Sequence, residues 1–342
     1  MTRSLALTCQ DDSLKDLKFC DIDLSFEDRV EDLLPRLNLS EKISQFGMVG
    51  QAIERLGIRE YNFGGEALHG LWSTCYNGTY CPTQFPSPIT MASSWNRDAW
   101  EDAARASAIE ARALYRENLL HYPDGFGDGC SKSLEGCLGL SYYAPNINIG
   151  RDPRWGRIEE IPGEDPRFNG EYGTRFVRGF QGNGTYLLAS TVVKHFVAYS
   201  LEIDIENMNP TEFCGNANCT TPNDRHSFNA IVDEIDLKET YLPAFKDVVQ
   251  AGAWGVMCSY NAVNGEPMCT NKALIGDTLR SEFGFEGVVA TDCGALNDAR
   301  IHHHRYNTVS SSISLFLHTH KQTHTHTHTG RGNSHGCDSS GD

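Results

Sequence analysis

Short apolar runs alternate with longer helical patterns along most of this 342-residue chain, and this alternation constrains the fold more than any other feature. The predicted strands span 140–148, 187–193, 254–259 and 288–290, and the predicted helices span 24–50, 97–119, 164–181, 238–251 and 271–283. Strands that alternate with helices build a parallel sheet from βαβ units. The pattern favours a (β/α)8 barrel of the TIM type. A doubly wound sheet is the alternative, although no glycine-rich dinucleotide fingerprint follows the first predicted strand.

The predicted strand 288–290 is followed closely by Asp292. An acid at the carboxyl end of a parallel strand lies where barrel enzymes place their catalytic groups. Aspartate is also a good helix N-cap, so the residue could instead begin the next helix. Its position alone does not decide between the two interpretations.

A lysine and a histidine, Lys194 and His195, follow the predicted strand 187–193, and Arg157 precedes that strand in the run Asp-Pro-Arg-Trp-Gly-Arg. Both Lys and His are costly to bury unless they find partners. Hydrogen bonds to sugar hydroxyls would give them a reason to point into a cleft. A salt bridge at the mouth of the barrel is the structural alternative.

The formal net charge is −16, from 45 acidic residues against 29 Lys and Arg. Nucleic-acid binding needs a basic stripe, so we expect no nucleic-acid partner. No apolar run reaches the roughly 18 residues of a membrane span, so we expect no membrane partner either. Residues 1–16 hold at most the remnant of an export signal.

The chain has twelve cysteines, and several of them are close in sequence. The close pairs are Cys75 and Cys81, Cys130 and Cys137, Cys214 and Cys219, and Cys258 and Cys269. None has the C-x-x-C spacing of a zinc site, so local disulfides in a secreted protein are favoured over metal binding. Four N-glycosylation sequons begin at Asn38, Asn77, Asn183 and Asn218 and favour secretion too.

From about Ser310 the periodic pattern is lost, and Thr and His alternate in the tail. A dinucleotide repeat read in triplets encodes such an alternation, which indicates a gene-model artefact. Alternating His tracts can also bind metal ions, but we assign no metal site here. The tail 310–342 has little to bury and is predicted to be disordered.

Several long motifs lie in a fixed order between residues 17 and 309. They include the segments 32–42, 61–70, 143–148, 152–157, 192–196, 257–265 and 284–293. In that order they resemble the β-xylosidase branch of glycoside hydrolase family 3, over a barrel domain that would span 17–309. The resemblance implies an exo-acting, retaining glycosidase that removes terminal β-linked xylose from xylo-oligosaccharides during xylan breakdown, outside the cell, without cofactor or metal.

The resemblance also implies roles for individual residues. Asp292 matches the nucleophile, which attacks the anomeric carbon while a second carboxyl group protonates the leaving oxygen. Arg157, Lys194 and His195 match residues that bind hydroxyls in the −1 subsite, and Tyr260 matches the tyrosine beside the nucleophile. Further sugar contacts are matched by Glu66 and Tyr143, and Cys293 keeps the xylosidase pattern.

Two departures from the family pattern bear on activity. Gly64 stands where fungal xylosidases have a Trp that helps to exclude the hydroxymethyl arm of glucose. Xylose is therefore the first expectation, with β-glucosidase and α-L-arabinofuranosidase activity as alternatives. Nothing after Asp292 resembles the second α/β domain that supplies the acid/base Glu, nor the last barrel strand and helix. An inactive sugar-binding fragment and a non-folding product of a faulty gene model are the remaining alternatives.

Overall fold

The computed structural model describes residues 9–72, 81–121, 139–202 and 224–319. Its helices are α1 (Phe26–Leu33), α2 (Leu39–Ser44), α3 (Pro88–Ala92), α4 (Arg97–His121), α5 (Pro166–Gln181), α6 (Glu234–Asp236), α7 (Pro243–Gln250), α8 (Lys272–Glu282), α9 (Ala295–Ile301) and α10 (Val309–Thr319). Helix α8 is wound as a π-helix, and a π-helical turn, Leu237–Tyr241, joins α6 to α7. Single 3-10 turns span Lys18–Cys20, Leu34–Arg36, Glu54–Leu56, Ile158–Glu160 and Met268–Thr270.

Nine strands form three sheets in the described part of the chain. The strands are β1 (Val49–Gly50), β2 (Tyr61–Asn62), β3 (Ser141–Tyr142), β4 (Ser190–Phe196), β5 (Asn229–Ala230), β6 (Gly255–Cys258), β7 (Ala262–Val263), β8 (Glu266–Pro267) and β9 (Val288–Thr291). The central sheet has the order β3-β4-β6-β9, and all its pairs are parallel.

The order of the central strands follows the order of the chain. A doubly wound sheet reverses its strand order at a switch point, and no reversal occurs among these four strands. The sheet is therefore a curled, half-barrel arrangement. The expected eight-stranded barrel is not seen within the described ranges, because only four parallel strands join the central sheet there.

Helices α4, α5 and α7 pack side by side against the central sheet. Strand β4 is buried along its whole length, as a strand covered on both faces must be. Asp165 caps α5 by accepting a hydrogen bond from Phe168 N at 2.6 Å, and Pro166 occupies the first helical position. A Cβ at Gly173 would lie 2.6 Å from Val248 Cγ1, so glycine is needed where α5 approaches α7.

Most predicted elements agree with the structure, and the differences have local causes. The predicted helix 24–50 is broken into α1 and α2, with Pro35 in the turn between them. The strand predicted over 140–148 is regular only at Ser141–Tyr142. The region 51–95 contains strand β2 and helix α3 as well as loops.

The tail prediction is wrong for residues 310–319, because they lie in helix α10. Phe316 packs against the main hydrophobic core, and Thr308 Oγ1 accepts a hydrogen bond from Ser311 N at 3.1 Å, at the start of the helix. The Thr/His repeat beyond residue 319 lies outside the described residues.

Two disulfides join residues that are both described. Cys258–Cys269 is one of the predicted local pairs, and Cys9–Cys20 is a further local pair that the sequence left open. The other predicted pairs fall wholly or partly outside the described residues. Among the described helices, none combines the length and the apolarity needed to cross a bilayer.

Candidate active site

The carboxyl ends of β4, β6 and β9 bring the predicted residues to one edge of the sheet. Lys194 and His195 lie near the end of β4, and Asp292 follows β9 directly. Asp292 N donates to Cys258 O at 3.1 Å, which ties this strand end to β6. As a result His195 Nε2 and Asp292 Oδ2 are 3.7 Å apart although their residues are almost a hundred positions apart in sequence.

Asp292 is buried, with 8% of its surface exposed. Its Oδ1 accepts a hydrogen bond from Cys293 N at 2.8 Å, whereas its buried Oδ2 has no hydrogen-bond partner. The N-cap of α9 is Gly294, in a left-handed conformation with φ of 85°, so the Asp292 side chain does not cap the helix. Burial of a carboxylate oxygen without a partner is unfavourable, and such an atom in a native fold calls for an explanation by function.

His195 is held by a single side chain, that of Asn148. Asn148 Nδ2 donates to His195 O at 2.7 Å, and Asn148 Oδ1 lies 3.0 Å from His195 N and 2.9 Å from His195 Nδ1. Because Oδ1 accepts, Nδ1 must carry the ring proton. Burial, helped by the charges of Arg157 and Lys194, lowers the pKa of His195 well below its usual value. A neutral ring protonated on Nδ1 presents Nε2 as an acceptor on the side of Asp292.

Lys194 points the other way and forms an ion pair with Glu66, with Nζ 2.7 Å from Oε2. Only 4% of the Lys194 side chain is exposed, against 32% for Glu66. Burial raises the pKa of Glu66 even though the charge of Lys194 and its hydrogen bond act in the opposite direction. The predicted salt bridge therefore exists, and it also places two charged groups beside an open cleft.

Arg157 is fixed by a bidentate pair with Glu160, at 2.8 Å and 2.7 Å. Its guanidinium also lies 5.7 Å from the centre of the Tyr199 ring. Burial opposes ionisation of Glu160, but the hydrogen bonds and charge of Arg157 outweigh it, so the pKa of Glu160 is lowered. A bidentate Arg held in this way is pre-oriented to donate its remaining N–H groups to a ligand.

Tyr260 and Tyr143 lie close enough to Asp292 for its charge to affect their ionisation. Burial raises the pKa of Tyr260, and the charge of Asp292 raises it further. Burial also raises the pKa of Tyr143, with contributions from Cys293, Glu66 and Asp292. Cys293 is a free thiol whose pKa is raised by burial and by Asp292, so it is a neutral group at neutral pH.

The structure therefore brings all eight sequence-predicted residues to one region. Sequence reasoning missed the supporting residues, namely Asn148, Glu160, Tyr199 and Glu202, whose Oε1 lies 3.2 Å from Trp155 Nε1 and 4.0 Å from Arg157 Nε. Asn148 lies within the quoted segment 143–148, and Glu160 follows Arg157 at a spacing of three residues, which is a usable signal for an ion pair. Tyr199 and Glu202 carry no comparable local signal.

Gly64 does not leave an empty space behind. A Cβ at this position would lie 2.5 Å from Met48 Sδ and 2.7 Å from Met48 Cγ. The flexible thioether therefore occupies the volume beside Gly64, and a larger residue there requires Met48 to move.

A cleft of about 740 Å³ adjoins Glu66, Lys194 and Arg157. Trp72, His69 and Gln84 also line it. Among the described residues, no group of three His, Cys, Asp or Glu side chains is arranged to hold a metal ion. The arrangement thus offers a carboxylate with an unpartnered oxygen, a neutral imidazole, and paired charges around a space for a polar ligand.

Comparison with known proteins shows the family of this chain. Residues 138–315 match the model of the glycosyl hydrolase family 3 N-terminal domain. β-D-xylosidase 1 of Arabidopsis thaliana is 38% identical over 289 residues, which are 82% of this chain and 33% of that protein. The chain thus spans about a third of the length of this curated relative.

Solved structures of two glycosidases share the fold. One is a family 3 exo-β-xylosidase, XlnD, in complex with a xylobiose aziridine activity-based probe; its TM-score is 0.76 at 29% identity, over 91% of this chain and 37% of that one. The other is a β-glucosidase from Listeria innocua in complex with isofagomine; its TM-score is 0.64 at 25% identity, over 86% of this chain and 40% of that one.

Proposed function

Because this chain belongs to glycoside hydrolase family 3, we propose that it carries the nucleophile and the sugar-binding wall of a retaining exo-glycosidase. The substrate we propose is a xylo-oligosaccharide with a terminal β-linked xylose. One observation carries the proposal: Asp292 Oδ2 is buried, has no hydrogen-bond partner, and lies 3.7 Å from a neutral imidazole. Since the chain spans about a third of its curated relative, the activity of the whole protein is part of the proposal.

The chemistry follows from the surroundings of the acid. Asp292 Oδ1 is held by Cys293 N, which leaves Oδ2 oriented for attack on the anomeric carbon. The attack forms a glycosyl ester, and the bond to the leaving oxygen breaks with its electron pair. The family resemblance assigns the protonation of that oxygen to a Glu of a second domain.

The polar side chains around Asp292 are suited to bind hydroxyl groups both as hydrogen-bond donors and as acceptors. His195 Nε2 accepts a hydrogen bond from a sugar hydroxyl, and Lys194 donates one. Glu66 accepts another, and Arg157 donates from the N–H groups that Glu160 does not use. Paired charges of this kind suit an uncharged sugar, because the two cations Arg157 and Lys194 already have carboxylate partners.

Xylose is the sugar we propose first, with glucose and arabinofuranose as the alternatives within the family. The β-xylosidase relative and the exo-β-xylosidase structure support xylose, whereas the β-glucosidase structure supports glucose. Met48 fills the space beside Gly64 and can act as part of the wall against a hydroxymethyl arm. The two disulfides support an extracellular location, where such bonds form and persist.

A reagent with a reactive leaving group tests the nucleophile without the acid. Dinitrophenolate leaves without a proton, and a fluorine at C2 of the xylose slows hydrolysis of the glycosyl ester. A dinitrophenyl 2-fluoro-β-xyloside should release one equivalent of dinitrophenolate per chain and leave one fluoroxylosyl adduct on the Asp292 peptide. Mass spectrometry of the digested protein locates the adduct.

The matched control is Asp277→Asn, which changes an exposed aspartate that pairs with Lys272. This variant should be labelled as the unchanged chain is, while Asp292→Asn should not be labelled. Absence of an adduct on the folded chain, or an adduct on another residue, would contradict the proposed nucleophile. Xylose binding without labelling would favour the sugar-binding alternative.

A further inference from the structure

We propose that Tyr199 is a positioning residue of the site, whose ring holds the imidazole of His195 and the guanidinium of Arg157 in the orientation that binds a sugar. The inference rests on the proposed function for its ligand, because that function assigns both of these side chains to sugar hydroxyls. Tyr199 is a positioning residue rather than a catalytic one, since it acts through two groups that contact the sugar.

The ring of Tyr199 contacts three site residues that come from three separate segments of the chain. Its centre lies 4.9 Å from that of the His195 ring, at an interplanar angle of 80°, and 6.3 Å from that of the Tyr260 ring. The Arg157 guanidinium carbon lies 5.7 Å from the same centre. Edge-to-face rings attract at centre distances of roughly 4.5–7 Å, and a cation attracts a ring within about 6 Å. One side chain therefore joins three parts of the site.

The core beneath the site fixes the position of this ring. Only 1% of Tyr199 is exposed, and the residue belongs to the main hydrophobic core. The ring of Trp155, from the same segment as Arg157, packs on it with the two centres 5.9 Å apart. A side chain enclosed in this way has little room for another rotamer. The polar groups that rest on the ring therefore share its fixed position.

The chain turns sharply after β4, and this turn brings Tyr199 back toward the site. Ala198 has a left-handed conformation with φ of 57°, which is unfavourable for a residue with a Cβ. Asn261 Nδ2 donates to Val197 O at 3.2 Å and so holds the turn from the side of β6. Strained backbone of this kind persists where the surrounding structure maintains it, and it clusters at functional sites. The turn therefore supports a functional role for the residue that follows it.

The aromatic ring of Tyr199, and not its hydroxyl group, makes these contacts. The hydroxyl oxygen is buried and has no hydrogen-bond partner in the described part of the chain. Burial, followed by the charge of Glu202, raises the pKa of Tyr199, so the hydroxyl is neutral at neutral pH. Phenylalanine at this position should therefore preserve the contacts to His195 and Arg157, whereas leucine should not. This difference separates positioning by the ring from a role of the hydroxyl.

Labelling with the dinitrophenyl 2-fluoro-β-xyloside measures the effect on sugar binding. In Tyr199→Leu we expect the concentration for half-maximal labelling to rise roughly fivefold to fiftyfold, as the loss of one ring–ring and one cation–ring contact predicts. The maximal rate of labelling should fall less than about threefold, because Asp292 remains in place. In Tyr199→Phe the half-maximal concentration should stay within about twofold of that of the unchanged chain, because the ring remains.

The matched control is Phe285→Leu. Phe285 is 3% exposed, belongs to the same core, and has the Arg280 guanidinium 4.9 Å from its ring centre. The control thus loses a buried ring and a cation–ring contact, but before the amino end of β9, away from the edge that carries the site. It should be destabilised in urea unfolding as Tyr199→Leu is, and it should keep the half-maximal concentration of the unchanged chain. If Tyr199→Leu fails to fold, Tyr199→Met and Phe285→Met replace the pair, because the flexible methionine refills more of the space.

The titration of His195 is a second measurement, and it needs no ligand. Nuclear magnetic resonance of the histidine rings follows this titration in the folded chain, and His195→Gln assigns the signal. Loss of the Tyr199 ring lets water reach the imidazole, which favours its charged form. The pKa of His195 should therefore rise toward its ordinary value in Tyr199→Leu, and it should not change in Tyr199→Phe or Phe285→Leu.

The outcomes distinguish this inference from the proposed function. If the xyloside does not label the unchanged, folded chain, the proposed function fails, and an unchanged pKa of His195 in Tyr199→Leu then overturns the positioning role by itself. If labelling occurs but Tyr199→Leu keeps the half-maximal concentration, or Phe285→Leu raises it equally, the inference is overturned while the proposed function stands. The same holds if Tyr199→Phe behaves as Tyr199→Leu does, because the hydroxyl would then be the acting group.

Discussion

Two buried aspartates lie on either side of the turn from β9 into α9, and their surroundings are opposite. Asp298 Oδ2 lies 2.8 Å from His226 Nδ1, and His302 Nε2 lies 3.8 Å from its Oδ1. Asp292, at 8% exposure against 6% for Asp298, keeps one oxygen without a partner. Nearly equal burial thus accompanies a 2.8 Å hydrogen bond to His226 in Asp298 and an oxygen without a hydrogen-bond partner in Asp292. The difference indicates a structural group in the first case and a reactive group in the second.

The largest expected effect comes from removing the open carboxylate. Asp292→Asn should lower the rate of labelling by the dinitrophenyl 2-fluoro-β-xyloside at least about 1,000-fold, because an amide is a poor nucleophile. Its free energy of unfolding should stay the same or rise by about 1 kcal/mol, since an unsatisfied buried charge disappears. Labelling kinetics and urea unfolding measure the two quantities. A strongly destabilised variant would show that Asp292 stabilises the fold, as we infer for Asp298.

The ion pair of Lys194 and Glu66 tests whether pairing itself stabilises this site. Lys194→Met should lower the free energy of unfolding by about 2–4 kcal/mol, because Glu66 then remains partly buried without its partner. A third of the Glu66 side chain is exposed, so the lower part of this range applies. The double variant Lys194→Met with Glu66→Gln should recover part of the loss in urea unfolding. Equal stabilities of the single and double variants would show that the pair contributes little.

Asp298, the aspartate paired with His226, should respond to substitution in the opposite way to Asp292. Asp298→Asn should lower the free energy of unfolding by about 1.5–3 kcal/mol, because the hydrogen bond from His226 loses its charged acceptor. Labelling of Asp292 should fall less than about tenfold. Tyr260 would lose the support of His226, whose ring centre lies 4.5 Å from its own, but would keep the Arg225 guanidinium at 5.2 Å. Loss of labelling as large as in Asp292→Asn, in a folded variant, would remove the distinction between the two acids.

The sequence predicts the helices and central strands because each has a strong local period. The alternation of strands and helices predicts a parallel sheet, and the strand ends at Lys194 and Asp292 predict the edge that carries the site. Local patterns do not predict Asn148 as the side chain that orients His195, because that contact crosses 47 positions of sequence. They also do not predict Met48 beside Gly64, since that packing depends on how two loop segments meet.

The difference between the two aspartates is equally invisible in sequence. Both residues come shortly after the predicted strand 288–290, and both are short acids suited to a helix start. Only the placement of His226, from a segment before the turn, gives Asp298 a hydrogen-bond partner, whereas Asp292 Oδ2 has none. The sequence signal for Asp292 was that its motif belongs to the same ordered series as the motifs of Arg157, Lys194 and His195.

The smallest effect concerns pH and the neutral state of His195. Its pKa in the folded chain is well below that of the unfolded chain, mainly because of burial and then because of Arg157, Lys194 and Arg225. The unfolded chain therefore takes up the proton first. The contribution of His195 to the free energy of unfolding is complete above about pH 6.5 and declines as the pH falls below it, by about 1.4 kcal/mol per pH unit for one proton.

His195→Gln should remove this one-proton slope from the pH dependence of urea unfolding. His303→Gln should remove a smaller part, because the hydrogen bond to Tyr260 O partly offsets the lowering of its pKa by burial. An unchanged slope in His195→Gln would show that folding does not lower the pKa of this ring, against the buried neutral state from which we infer that Nε2 accepts a hydrogen bond from a sugar hydroxyl.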